Sequence, residues 1–143
     1  MTASSSIPPS LQRRVRERAQ DCCEYCGIPQ SGQEATFHID HIVPRRAGGP
    51  SLPSNLALAC VSCSLRKGAR IDAVDPESGV IARLFNPRTE RWQEHFQVAS
   101  DAFIIGRTPA GRATIELLKL NRSLAVALRR ELMSRGQYPP ESD

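Results

Sequence analysis

Residues 38–49 read HIDHIVPRRAGG, and the fold turns on how the histidine at position 41 is understood. The run opens as a half-buried strand, with Phe37 and Ile39 on one side and Thr36, His38 and Asp40 on the other. His41 then stands where the next apolar residue should be. Gly48 and Gly49 close the stretch and give the chain freedom to turn into a second strand. A strand broken by a histidine next to an aspartate marks a place where chemistry has displaced packing.

The flanks of this stretch carry cysteines. Cys23-Glu-Tyr-Cys26 and Cys60-Val-Ser-Cys63 are both C-x-x-C pairs. A two-residue gap lets both thiolates of one knuckle reach one ion at ~2.3 Å, and two knuckles complete a tetrahedron, so a closed structural zinc site is the favoured reading. A thioredoxin-like redox pair and buried free thiols stand as alternatives, although the βαβ pattern of the former is absent. Cys22 is the spare thiol, since only Cys23 preserves the two-residue gap. Five cysteines, an odd number, suit metal ligation or free thiols better than disulfides. Zinc would also compensate for the small core between the knuckles.

With 143 residues, 40% apolar and 5% aromatic, the chain has the material for one compact domain. Of its 19 basic residues all but Lys67 and Lys119 are arginine, and the net charge is +4. Arginine's planar fork matches phosphate oxygens, which points toward a nucleic-acid partner as much as toward a merely basic protein. The polar start MTASSSIPPS lacks the apolar core of a secretory signal, and no run approaches the ~18 apolar residues of a spanning helix. The expectation is a cytoplasmic protein with no membrane partner.

Four segments follow from composition: a disordered leader over 1–9, a core with the knuckles over 10–75, an α/β extension packed on it over 76–136, and a loose tail over 137–143. Ser10 is expected to cap a helix from about Leu11 to Asp21, with Leu11, Val15 and Ala19 inward and Arg13, Arg14, Arg16 and Arg18 outward. GVIARLF and RWQEHFQV read as a hairpin joined by NPRT, with Trp92, Phe96 and Val98 on one face and His95 exposed on the other. AFIIGRT reads as a third strand. Thr108 and Pro109 open a helix, and Ser123 to Arg135 forms another with Leu124, Leu128 and Leu132 on one stripe and Gly136 as its stop.

Taken together, Cys23-x-x-Cys26, HIDHIVPRRAGG, Asn55-Leu56 and CVSCSLRKG resemble the HNH endonuclease family, over about residues 23 to 68. The resemblance implies an α+β fold: a ββα-metal core stapled by Zn²⁺ at Cys23, Cys26, Cys60 and Cys63, with an N-terminal helix and a C-terminal β-hairpin plus helices. It implies that His41 is the general base, that Asn55 braces the loop and orients the histidine, and that Asp40 holds a catalytic Mg²⁺ or Mn²⁺. DNA is the implied partner. Ser64 departs from the family pattern, which has His or Asn after the last cysteine, and is a poorer ligand; His38, on the same strand face as Asp40, is a candidate to assist. Arg45, Arg46, Arg66 and Lys67 are candidate phosphate contacts. A zinc-stapled nucleic-acid-binding module without turnover is the main alternative, and a purely structural zinc protein the third.

Overall fold

The computed structural model describes residues 7–141. The leader expected over 1–9 lies mostly outside these residues, but Ile7 is buried and Pro9 already begins the first helix. Helix α1 spans Pro9–Arg18, earlier at both ends than expected, because Pro at its first turn presets the helical φ without needing a Ser10 cap. Val15 is fully buried, with Leu11 and Ala19 packed beside it.

The centre is a ββα unit. Strand β1, His38–His41, pairs antiparallel with β2, Leu56–Ala59, in a register that sets Asp40 opposite Ala57 and His41 opposite Leu56. All four residues of β2 are buried, so the strand is covered on both faces. Helix α2, Val61–Lys67, follows at once and is capped by a cysteine: Cys60 Sγ accepts from the backbone N of Cys63. The first knuckle is tied to β2 by Glu24, whose N donates to Leu58 O at 2.8 Å while its Oε2 accepts from Leu58 N at 2.8 Å.

The extension differs from the expected hairpin. The strand in GVIARLF is β4, Ile81–Arg83, and it pairs backward with β3, Asp72–Val74. The Asp75 carboxylate makes that turn by accepting from Glu77 N and Ser78 Oγ, and Arg112 clamps it with two bonds at 3.0 Å. RWQEH is not a strand: Trp92–His95 forms a short helix α3, with Arg91 N donating to the Glu94 carboxylate at its start. Only Phe96–Val98 is extended; this β5 pairs with β6, Ile104–Gly106, inside the expected third strand. His95 is half-buried, with Nδ1 2.6 Å from Thr108 Oγ, rather than exposed.

Helix α4, Pro109–Leu118, begins as read, with Thr108 Oγ accepting from Gly111 N. Helix α5 spans Ser123–Ser134, but it is rotated from the leucine stripe: Leu124 is 77% exposed, and Ala125, Val126, Arg129 and Leu132 are the buried face. The tail is pinned at Tyr138, which is buried and donates to Cys26 O at 2.6 Å. Among the described residues no helix is long and apolar enough to cross a membrane.

Candidate active site and zinc knuckles

The four cysteines come together from three places: the turn after α1, the end of β2 and the first turn of α2. Their sulfurs all lie within 4.8 Å of one another and all four residues are buried. A tetrahedral ion with Zn–S bonds of ~2.3 Å demands sulfur–sulfur edges of about 3.8 Å, and Cys26 Sγ stands 3.8 Å from Cys60 Sγ. The donor set therefore fits zinc. Hydrogen bonds from Cys23, Cys26 and Cys63 hold the Cys60 thiol far below its ordinary range, while Cys26 and Cys63 are pushed well above it, Cys26 chiefly through its bond to Cys23. Full deprotonation of such a cluster requires the charge of a cation at its centre. Cys22 stays outside the cluster, in the register the spacing argument gave it.

His41 ends β1 on the strand face opposite Asp40. Its ring is half-buried, and Nε2 lies 2.8 Å from Ser51 Oγ. Burial lowers its pKa from the ordinary value; Arg45 adds to this and Lys67 less so, while Asp40 opposes them. The imidazole is therefore neutral at neutral pH, the state a base needs.

Asn55 is buried and wholly occupied by backbone. Its Oδ1 accepts from Val43 N at 2.9 Å, and Nδ2 donates to Val43 O at 3.0 Å and Pro50 O at 2.9 Å. Both polar atoms of its amide are engaged by backbone, the place of a brace rather than of a reacting group. Gly49 completes the same clamp: a Cβ there would run into the Val43 carbonyl and the Asn55 amide. The loop that carries Ser51 to His41 is thus fixed from both sides.

Two sequence expectations meet a different geometry. Lys67, expected as a phosphate contact, is 2% exposed and points inward; its Nζ donates to His41 O at 3.1 Å and Ile42 O at 3.2 Å and pairs with Asp40 Oδ2 at 3.2 Å. Asp40, expected as the cation ligand, is 7% exposed and has Tyr25 OH at 2.7 Å as its other partner. Burial raises the Asp40 pKa, and Lys67 and Tyr25 work against that rise. The other two expected ligands bond each other: His38 Nδ1 lies 2.8 Å from Ser64 Oγ. Among the described residues the four cysteines are the one group of three or more His, Cys, Asp or Glu ligands that converges. The one carboxylate expected to hold a catalytic Mg²⁺ or Mn²⁺ is thus paired with an ammonium, and the other two expected ligands are bonded to each other.

Arg45, Arg46 and Arg66 are exposed beside the site, Arg45 and Arg46 on a 3₁₀ turn that ends at Gly48 in the left-handed region. Sequence reasoning missed Ser51 and Tyr25. Ser51 carried one signal, its place between the diglycine turn and Asn55; Tyr25, inside the first knuckle, carried none that distinguishes it from a core aromatic.

What this geometry defines is a cysteine-stapled ββα unit presenting one histidine. Residues 23–70 match the model of the HNH endonuclease family. The chain matches no curated protein and no solved structure.

Proposed function

We propose that the chain is a DNA endonuclease that hydrolyses phosphodiester bonds, with His41 as the general base. The observation that supports it best is the neutral, half-buried imidazole fixed through Nε2 by Ser51 within a segment matching the HNH family. With Nε2–H donating to Ser51 Oγ, the lone pair on Nδ1 is left to take a proton from the attacking water. Transfer of that proton lets the water oxygen form its bond to phosphorus as the bond to the leaving oxygen breaks; His41 keeps the proton as imidazolium, and the leaving oxygen takes one from solvent water. Asn55 and Lys67 act through the backbone: the first locks residues 43–50, and the second gathers the carbonyls of residues 41 and 42 onto one ammonium. Arg45, Arg46 and Arg66 supply exposed positive charge for the phosphates on either side.

The occupied state of Asp40 favours a second reading, a zinc-stapled module that binds nucleic acid without turnover. Supercoiled plasmid incubated with the protein in Mg²⁺, Mn²⁺ or EDTA separates the two. Nicking by the wild type that disappears in His41→Ala supports the nuclease, and the metal arms report its cation requirement. Equal plasmid retention by both proteins with no nicking in any arm overturns it in favour of the module.

A further inference from the structure

A cleft of about 900 Å³ lies between the first knuckle and the C-terminal extension, toward the upper end of the range for ligand sites, roughly 300–1,000 Å³. One wall is built by Arg18 at the end of α1 and by Cys22 to Glu24; the other is built by Arg91 and Trp92 at the start of α3 and by Arg107 just after β6. The charges on these walls do not cancel. Arg18, Arg91 and Arg107 are all exposed, and none of them forms an ion pair among the described residues. Of the carboxylates on the same walls, Glu24 is paired with Arg88, which leaves Glu90 and Glu141 against three guanidinium groups, and Glu90 is turned to Asn86 N and His95. The surplus is positive.

Trp92 sets an aromatic surface among those charges. Its indole is anchored by Nε1, which donates to Tyr25 O at 2.9 Å, and by Phe96, whose ring centroid lies 4.9 Å away, while the ring stays half-exposed on the cleft wall. A fixed aromatic ring among unpaired arginines suits a single strand of nucleic acid, whose unpaired bases are free to stack while its phosphates meet the guanidinium groups. A duplex keeps its base faces stacked on one another and offers the cleft only phosphates and groove edges. The cleft is also joined to the loop that positions His41. Arg18 Nη1 donates to Pro53 O at 2.9 Å and Nη2 to Leu56 O at 2.6 Å, so a guanidinium of the cleft wall also braces the segment following Ser51, and Leu56 pairs with His41 across the sheet.

We propose that this cleft binds a single-stranded stretch of DNA adjoining the scissile phosphate, with a base stacked on Trp92 and phosphates on Arg18, Arg91 and Arg107. The identity of the polymer rests on the endonuclease reading. The extension then reads strand state, and the preferred substrate is DNA in which a duplex opens into a single strand.

Trp92 is the one tryptophan of the chain, so its emission reports on the cleft directly. The full-length zinc-loaded protein is titrated with oligothymidylate, with a blunt DNA hairpin of equal phosphate number and with inorganic polyphosphate. Oligothymidylate is expected to quench the emission saturably, and the other two to leave it unchanged. With a labelled oligothymidylate, Trp92→Leu is expected to weaken binding about tenfold, and Arg91→Ala and Arg107→Ala each to reduce the slope of log affinity against log salt by about 0.7. Should Trp92→Leu not fold, the wild-type quenching and the two exposed arginines decide alone. Absence of quenching by oligothymidylate, equal quenching by all three ligands, or an unchanged salt slope in both arginine variants overturns the proposal. The failure of the endonuclease reading is separable from this one. Quenching without plasmid nicking sustains the cleft and removes the nuclease, whereas nicking without quenching removes the cleft alone.

Discussion

Replacing Lys67 by methionine keeps the stem of the side chain and deletes the ammonium that joins Asp40 to the carbonyls of His41 and Ile42. Both members of the ion pair are more than nine-tenths buried, so water cannot take the lysine's place. Breaking a buried pair from one side costs about 3–5 kcal/mol, since the remaining charge is left without compensation. For a chain of 143 residues that is a fall in melting temperature of roughly 10–15 °C. The pH dependence carries a second signature. Burial already raises the Asp40 pKa, and without Lys67 the folded carboxyl holds its proton to still higher pH. The folded state then binds more protons than the unfolded chain, whose Asp pKa is near ~3.9, so the variant loses stability as pH rises through that window and regains part of it on acidification. Urea unfolding of the zinc-loaded protein at pH 7.5 and pH 5, compared with Asp40→Asn/Lys67→Met, measures both effects. The double variant removes both charges and is expected to recover about half the loss. A cost below ~1 kcal/mol for Lys67→Met, as for a solvated helix-face lysine, would falsify the brace.

His41 has its pKa lowered first by burial and then by Arg45, so the folded state binds fewer protons than the unfolded chain just below ~6.5; the stability this group contributes above that pH is lost as pH falls through the folded pKa. The acidic limb of the plasmid-nicking profile is accordingly expected below pH ~6.5, and Arg45→Gln should move it to higher pH; an unmoved limb would separate Arg45 from the base. Asn55→Ala strands the N–H and carbonyl of Val43 and the carbonyl of Pro50, at about 2–4 kcal/mol. It should abolish nicking while filter-binding of DNA persists, and retained nicking would contradict the brace. Ser51→Ala leaves the fold intact and frees the ring, so turnover should drop by roughly tenfold or more with little change in melting temperature. Arg45→Ala and Arg46→Ala should each reduce the slope of log affinity against log salt by about one; an unchanged slope would place the phosphate track elsewhere.

The parts of the site legible in the sequence are those whose logic is local. The two-residue gap in each cysteine pair and the single break in the apolar alternation at His41 need no knowledge of the rest of the chain. The hairpin over residues 76–98 was misplaced because its pairing is decided from a distance. Arg112 on α4 reaches back to Asp75 and stabilises the turn between β3 and β4, which takes the strand that NPRT alone would have assigned forward. Asx-turn chemistry is present in NPRT, where Asn86 Oδ1 accepts from Arg88 N, but it leads into a helical turn.

The charged residues in the interior were unreadable for a deeper reason. Periodicity counts apolar side chains as inward and charged ones as outward, so Lys67 was placed on a phosphate-facing surface and Leu124 on the core stripe of α5. The fold inverts both. Asp40 carries its carboxylate under α2, and the nearest cation able to follow it is Lys67 at the end of that helix. On α5 the helix turns Arg129 rather than Leu124 toward the core, where Nε donates to Ala102 O and Nη2 to Asn121 Oδ1. Binary patterning therefore fails where a buried cation finds its partners through the fold, Lys67 on Asp40 and two carbonyls, Arg129 on the Ala102 carbonyl and the Asn121 side chain.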